Sequence, residues 1–294
     1  DLRQPVAKMD WRGFVLSASG LGLAMFGLSA IGRGLMPGAA TSLVIVVGFA
    51  LVFAYVRHAR THPHPLLCLD LLRYPTYRAG VLGGSLFRIG IGATPFLLPL
   101  MLQLGFGLDP LQSGLITFTS TAGAMFMKVV APRILHQFGF RPVLVWNGLL
   151  ASALLAGFGL FRADTPYWLM VSVLLASGCF RSLQFTSINA IAYAEIGQER
   201  MSQASSLAAV AQQVSLALGV TIGGYALSVA GRATGGGDGD PLAFLFAFLT
   251  VGVISAISVF EMRKLAPDAG AEMAGRAEAG HEVTEPKVEA RPQA

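Results

Sequence analysis

Two arginines sit where water is scarce. Arg88 lies in "SLFRIGIGATPFLLP" (85–99) and Arg181 in "ASGCFRSLQFTSINA" (176–190), and neither run contains an acid. A guanidinium so placed attracts a carboxylate, an anionic or aromatic ligand, or water. At the centre of a membrane helix it costs about 2.5–3.5 kcal/mol on insertion scales, so such charges turn to a protein- or water-lined interior. Snorkelling to the headgroups is the other reading. It suits Lys128, near the end of its run, better than the two arginines.

The neighbours favour an interior. At helical spacing from Arg181 come Gln184, Phe185, Ile188 and Asn189, with Ser182, Thr186 and Ser187 between them. The same spacing from Arg88 gives Gly92, Pro95, Phe96 and Pro99, with Gln103 beyond. Prolines free backbone carbonyls, which is tolerated at membrane depth only where protein or water satisfies them. Two polar, aromatic-lined helices read as a wet pathway, against a structural kink without a ligand. In "QASSLAAVAQQVSLALGVTIGG" (203–224), Ala204/Ala208, Ser205/Ala209 and Gly219/Gly223 allow close helix packing, and Gln212 and Gln213 need partners at mid-membrane.

Other chemistry is weaker. "RHARTHPHP" gathers His58, His62 and His64, but no Cys or acid in the run completes a metal site, so it reads as a basic loop. "RATGGGDGD" (232–240) reads as a flexible outer loop, and the spaced glycines of "ASGLGLAMFG" (18–27) as helix packing. There is no GxxxxGK, HExxH or GxSxG context. No enzyme, cofactor or metal is expected.

The elements that must position these residues follow from hydropathy. The 294 residues are 54% hydrophobic and 13% charged, far from the roughly 25% charged of soluble domains. The net charge of +5 is therefore read as loop charge rather than as a nucleic-acid surface. Cys68 and Cys179 cannot make a disulfide framework. Spanning runs of about 20 residues are expected at 13–32, 39–56, 79–104, 111–131, 142–161, 166–192, 203–230 and 241–261, an all-α polytopic bundle of eight transmembrane helices. A short amphipathic helix at 66–76 could lie on the membrane surface, and residues 263–294 read as a disordered tail. One side of the alternating loops holds 15 Lys/Arg and the other 3, which puts both termini in the cytoplasm. The opening "DLRQPVAKMD" reads as an internal start of something longer.

"GATPFLLPLMLQLGFGLDPLQSGLITF" (92–118), "APRILHQFGFRPVL" (131–144), "FRSLQFTSINAIAYAEI" and "ASSLAAVAQQVSLALG", taken in order over about residues 10–262, resemble the fourteen-helix drug:proton antiporter branch of the major facilitator superfamily. Gly139 and Arg141 match a degenerate loop signature whose usual aspartate is replaced by His136 or Gln137. The resemblance implies two central helices and a linker (1–65), a six-helix carboxyl-terminal half (66–262) and a cytoplasmic tail (263–294). It implies proton-driven export of small amphiphilic compounds from a bacterial inner membrane, with the missing amino-terminal half, protons and the bilayer as partners. Pathway candidates are then Arg88, Phe96, Gln103, Arg181, Gln184, Phe185, Asn189, Gln212 and Gln213, with Gly139 and Arg141 in a cytoplasmic gating loop. A membrane scaffold or partner subunit, or a lipid enzyme, remains as the alternative.

Overall fold

A computed structural model describes residues 10–30, 36–62, 67–273 and 275. Eight of its helices are long and apolar enough to cross a membrane: α1 (Trp11–Ala30), α2 (Gly38–Thr61), α3 (Pro75–Gly105), α4 (Pro110–Phe138), α5 (Phe140–Leu160), α6 (Tyr167–Ala192), α7 (Gln198–Thr234) and α8 (Pro241–Arg263). No strand occurs among the described residues, and the all-α polytopic bundle read from the sequence is present.

Several helices overrun their expected spans. Apolarity marks only what lipid covers, whereas the backbone ladder continues until something stops it. Thus α4 passes residue 131 and Pro132 to reach Phe138, where Gly139 ends it at φ 77°. That conformation favours glycine because a side chain would clash with its own backbone. Of the surface helix expected at 66–76, residue 66 lies outside the described residues and only a short 3-10 segment forms. Leu69–Arg73 forms one 3-10 turn with Leu71 fully buried, and Pro75, whose fixed φ suits a first helical turn, starts α3. Past α8 the chain still packs: Leu265 is buried, and Gly270 lies against Phe140 and Ile191. Residues 274 and 276–294, which carry most of the expected tail, lie outside the described residues, as do His64 and residues 31–35.

The pairs α1–α2, α3–α7, α4–α6 and α5–α8 pack most extensively, and α8 also meets α3 and α7. Small residues set these pairings. A methyl on Gly92 would collide with the Leu216 carbonyl, and one on Gly219 with the Ile89 carbonyl, so α3 and α7 meet backbone to backbone. Gly123 and Gly178 do the same for α4 and α6, against the Leu175 and Ser120 carbonyls. Gly92 and Gly219 therefore fix where the arginine-bearing α3 sits against its neighbour.

Outside, the helices present Phe53, Phe118, Phe126, Trp146, Trp168, Phe246 and Phe260. Soluble monomers do not expose apolar surface on this scale, while acyl chains solvate it. The chain is an integral membrane protein.

Candidate functional site

Arg88 leaves α3 at its fourth turn and folds back toward the helix start, the direction helical side chains favour. It is 3% exposed. Its Nη2 donates to Asn189 Oδ1 of α6 at 2.7 Å, and Nη1 points at the Gly80 carbonyl at 3.5 Å, the outer limit of a hydrogen bond. Its guanidinium carbon stands 5.3 Å from the Phe185 ring centroid, within cation–π range. Gly84 makes room, since a Cβ there would press on Nη1. Nε is buried without a partner, and no carboxylate pairs with the group among the described residues. The charge is held by an amide, a carbonyl and an arene.

Arg181 is half-buried and differently placed. It lines a small cavity inside the bundle, walled by Phe87 and Ile91 of α3, Leu155 and Phe158 of α5, and Leu174 of α6. The hydroxyls of Thr94, Ser120, Ser177 and Ser255 face the same space. Three of them spend their protons on their neighbours' carbonyls: Thr94 on Gly90, Ser120 on Thr117 and Ser255 on Phe87. Their oxygens remain as acceptors. Arg181 itself makes no hydrogen bond or ion pair among the described residues. A cation in a hydroxyl-lined space inside the bundle attracts an anion, a carboxylate or an aromatic face more strongly than it would in bulk water.

The α6 residues grouped by the sequence reading divide between two faces. Phe185 and Asn189, four and eight residues after Arg181, turn to Arg88. Ile188 is fully buried against Gly84, beside the Arg88 guanidinium, while Gln184 is fully buried on another face. Gln184 Nε2 donates to the Leu144 carbonyl at 2.9 Å and lies 3.2 Å from Met262 Sδ, and its Oε1 accepts from Asn147 Nδ2 at 2.8 Å. Asn147 Nδ2 also reaches the Phe180 carbonyl at 2.9 Å. This amide clasp fastens α6 to α5 and α8. Asn147 was missed from the sequence, although an asparagine inside "VLVWNGLLAS" is the same signal that marked Gln184.

The remaining candidates are spread along the bundle. Phe96 is half-buried and rests against Gly224 of α7. Gln103 lies in the last turn of α3, well past Arg88 near its middle, and reaches Ser113 Oγ at 3.5 Å. Gln212 is half-buried and Gln213 exposed, and neither finds a hydrogen-bond partner among the described residues. Gly139 forms the whole joint between α4 and α5, and Arg141 Nη2 donates to the Arg263 carbonyl at 3.1 Å, capping the end of α8. At the same end, Glu195 Oε2 accepts from Thr76 Oγ1 at 2.7 Å, and Tyr77 Oη donates to the Ala204 carbonyl at 2.7 Å. These two links tie the start of α3 to the end of α6 and the start of α7. Neither was legible, because each depends on residues more than a hundred positions apart.

A helical membrane bundle with cations turned inward fits a solute pathway, and relatives decide the family. The model of the Major Facilitator Superfamily matches residues 80–289. The chain belongs to that superfamily. It is 32% identical over 255 residues to the "Putative multidrug resistance protein MdtD" of Enterobacter sp. (strain 638), covering 85% of this chain and 54% of the relative. The corresponding protein of Escherichia coli O157:H7 is 32% identical over 264 residues, 89% of this chain and 56% of the relative. The "Probable transport protein HsrA" of Haemophilus influenzae is 28% identical over 266 residues, 90% and 57% respectively. The chain spans a little over half the length of these curated relatives. The resemblance read from ordered sequence segments is confirmed, and with it membrane transport as the function of the superfamily to which the chain belongs.

Proposed function

We propose that the chain is the carboxyl-terminal six-helix half of an exporter, preceded by its two central helices. The whole protein would extrude small amphiphilic organic compounds across a bacterial inner membrane by alternating access, driven by proton entry, with both termini cytoplasmic. The observation that carries this reading is the pair of inward arginines, which find no carboxylate among the described residues. Residues in membrane interiors that bear charge mark substrate and ion pathways, and substrate sites of such folds lie near the midplane between two halves.

Arg181 attracts an acidic or aromatic part of the substrate, or a carboxylate of the amino-terminal half. Arg88, Phe185 and Asn189 form a polar wall beside it, with Phe96, Gln103, Gln212 and Gln213 along the same route. Gln213 supports this, because an exposed amide at mid-span is poorly solvated by lipid and well served by a second bundle. Gln184 acts as a positioning residue. Gly139 and Arg141 form the cytoplasmic joint about which α4 and α5 move. Transport rather than an enzymatic reaction is the reading, supported by the relatives named as transport and multidrug resistance proteins.

The test is dye export by cells making the full-length protein, with and without an uncoupler. Export that collapses with the proton gradient and in Arg181→Leu supports the proposal. Transport of unchanged rate and pH dependence in both Arg88→Leu and Arg181→Leu refutes it.

A further inference from the structure

The histidines set aside as a basic loop acquire a carboxylate in the fold. His58 and His62 stand four residues apart at the end of α2, which puts their rings on one side, with centroids 5.0 Å apart. Asp10 precedes α1, a hairpin away. Its side chain is 3% exposed, and His58 Nε2 lies 3.0 Å from both Oδ1 and Oδ2. One ligand atom from each of Asp10, His58 and His62 falls within 4.8 Å of the others. We propose that these three side chains bind a divalent transition metal of the Zn²⁺ class at the base of the α1–α2 hairpin.

The donor set is two imidazoles and one carboxylate, which suits Zn²⁺ and disfavours Mg²⁺ and Ca²⁺, whose ligands are oxygens. Tetrahedral Zn²⁺ with ligands at about 2.0–2.2 Å separates them by roughly 3.4 Å. The Asp10–His58 spacing is already near that value. The wider spacing, up to 4.8 Å, has to close by up to about 1.4 Å for the three to share one ion. The carboxylate is pre-set: the Gly13 amide donates to Asp10 Oδ1 at 2.8 Å, the kind of outer contact that orients a ligand. A metal here would join the start of α1 to the end of α2. That matters because, among the described residues, α2 packs extensively only on α1, which in turn meets α7. The inference stands apart from the transport reading.

The experiment uses the full-length protein carrying an affinity tag other than polyhistidine, stripped with chelator in detergent and titrated with Co²⁺ as the spectroscopic probe. One equivalent with the visible bands of four- or five-coordinate Co²⁺, displaced by Zn²⁺, is expected. His58→Gln with His62→Gln should abolish the bands, Asp10→Asn should weaken binding roughly tenfold or more, about 1.4 kcal/mol, and the exposed His136→Gln should change nothing. Should the double variant fold poorly, His62→Cys gives a positive readout, since only a ligating thiolate produces sulfur-to-cobalt charge transfer. Absence of stoichiometric binding in the parent protein, binding indifferent to the substitutions, or a His62→Cys protein lacking the charge-transfer band overturns the proposal.

Discussion

Replacing Asn189 by leucine strands a buried cation, and the consequence can be worked from three contacts. The 2.7 Å bond from Arg88 Nη2 is the one hydrogen bond of good length that the guanidinium makes. Hydrogen bonds to charged groups contribute about 1.5–3 kcal/mol. After the substitution, Arg88 keeps the Gly80 carbonyl at 3.5 Å and the Phe185 ring at 5.3 Å. The first is too long to replace the loss, and the second is already present. Asn189→Leu should therefore cost about 2–3 kcal/mol. Arg88→Leu removes the charge and its desolvation together, leaving a half-buried amide behind, and should cost about 1 kcal/mol or less. The double variant should resemble Arg88→Leu. Thermal unfolding in detergent, followed by tryptophan fluorescence, reads the order directly. A chain of this size shifts by about 2–4 °C per kcal/mol, so Asn189→Leu should melt roughly 4–12 °C lower and Arg88→Leu within about 4 °C of the parent. A stable Asn189→Leu protein, or one whose loss is not recovered in the double variant, would refute the account of how the charge is held.

Other substitutions test the surrounding frame. Gly139→Ala places a Cβ at φ 77° and should destabilise by about 1–2 kcal/mol, read as a lower melting temperature. Gln184→Ala leaves Asn147 Nδ2 without its 2.8 Å partner inside the α5–α6–α8 interface, and a loss of about 2–4 kcal/mol is expected, with cavity formation adding to it. Gly219→Leu drives a side chain into the Ile89 carbonyl, so α3 and α7 must part. Poor folding yield is expected, whereas a leucine at Gly22, which faces open space, should be tolerated.

The helices were legible in the sequence because lipid imposes a simple condition, a run of about 20 apolar residues, and each run satisfies it independently of the rest. The boundaries were not, as α4 shows, because backbone hydrogen bonding outlasts hydrophobicity until a residue such as Gly139 stops it. Arg88 and Arg181 were visible as charges out of place. What each one touches was not, since Asn189 is a hundred residues from Arg88. The helical spacing that grouped Phe185 and Asn189, which turn to Arg88 rather than to Arg181, also swept in Gln184, because i+3 and i+4 positions diverge around a helix that is packed on two sides. Asp10 could not be linked to His58 at all. Their proximity follows from α1 and α2 running antiparallel, and spacing in the chain says nothing of that.

The two arginines, alike in sequence context, have different physics, and lysine separates them. At position 88 the group is a planar fork that bonds an amide while lying over a ring. An ammonium has neither the plane nor the delocalisation to do both, so Arg88→Lys should lose stability comparable to Asn189→Leu. At position 181 no hydrogen bond fixes the fork among the described residues, and what the cavity receives is charge. Arg181→Lys should melt like the parent and, if the cavity lies on the pathway, keep a substantial part of the dye export that Arg181→Leu abolishes. Equal responses at the two positions, in stability or in export, would mean that the guanidinium at 88 is not held by its shape or that the one at 181 is. Either outcome would remove the distinction between a cation built into the wall and a cation left available to a ligand.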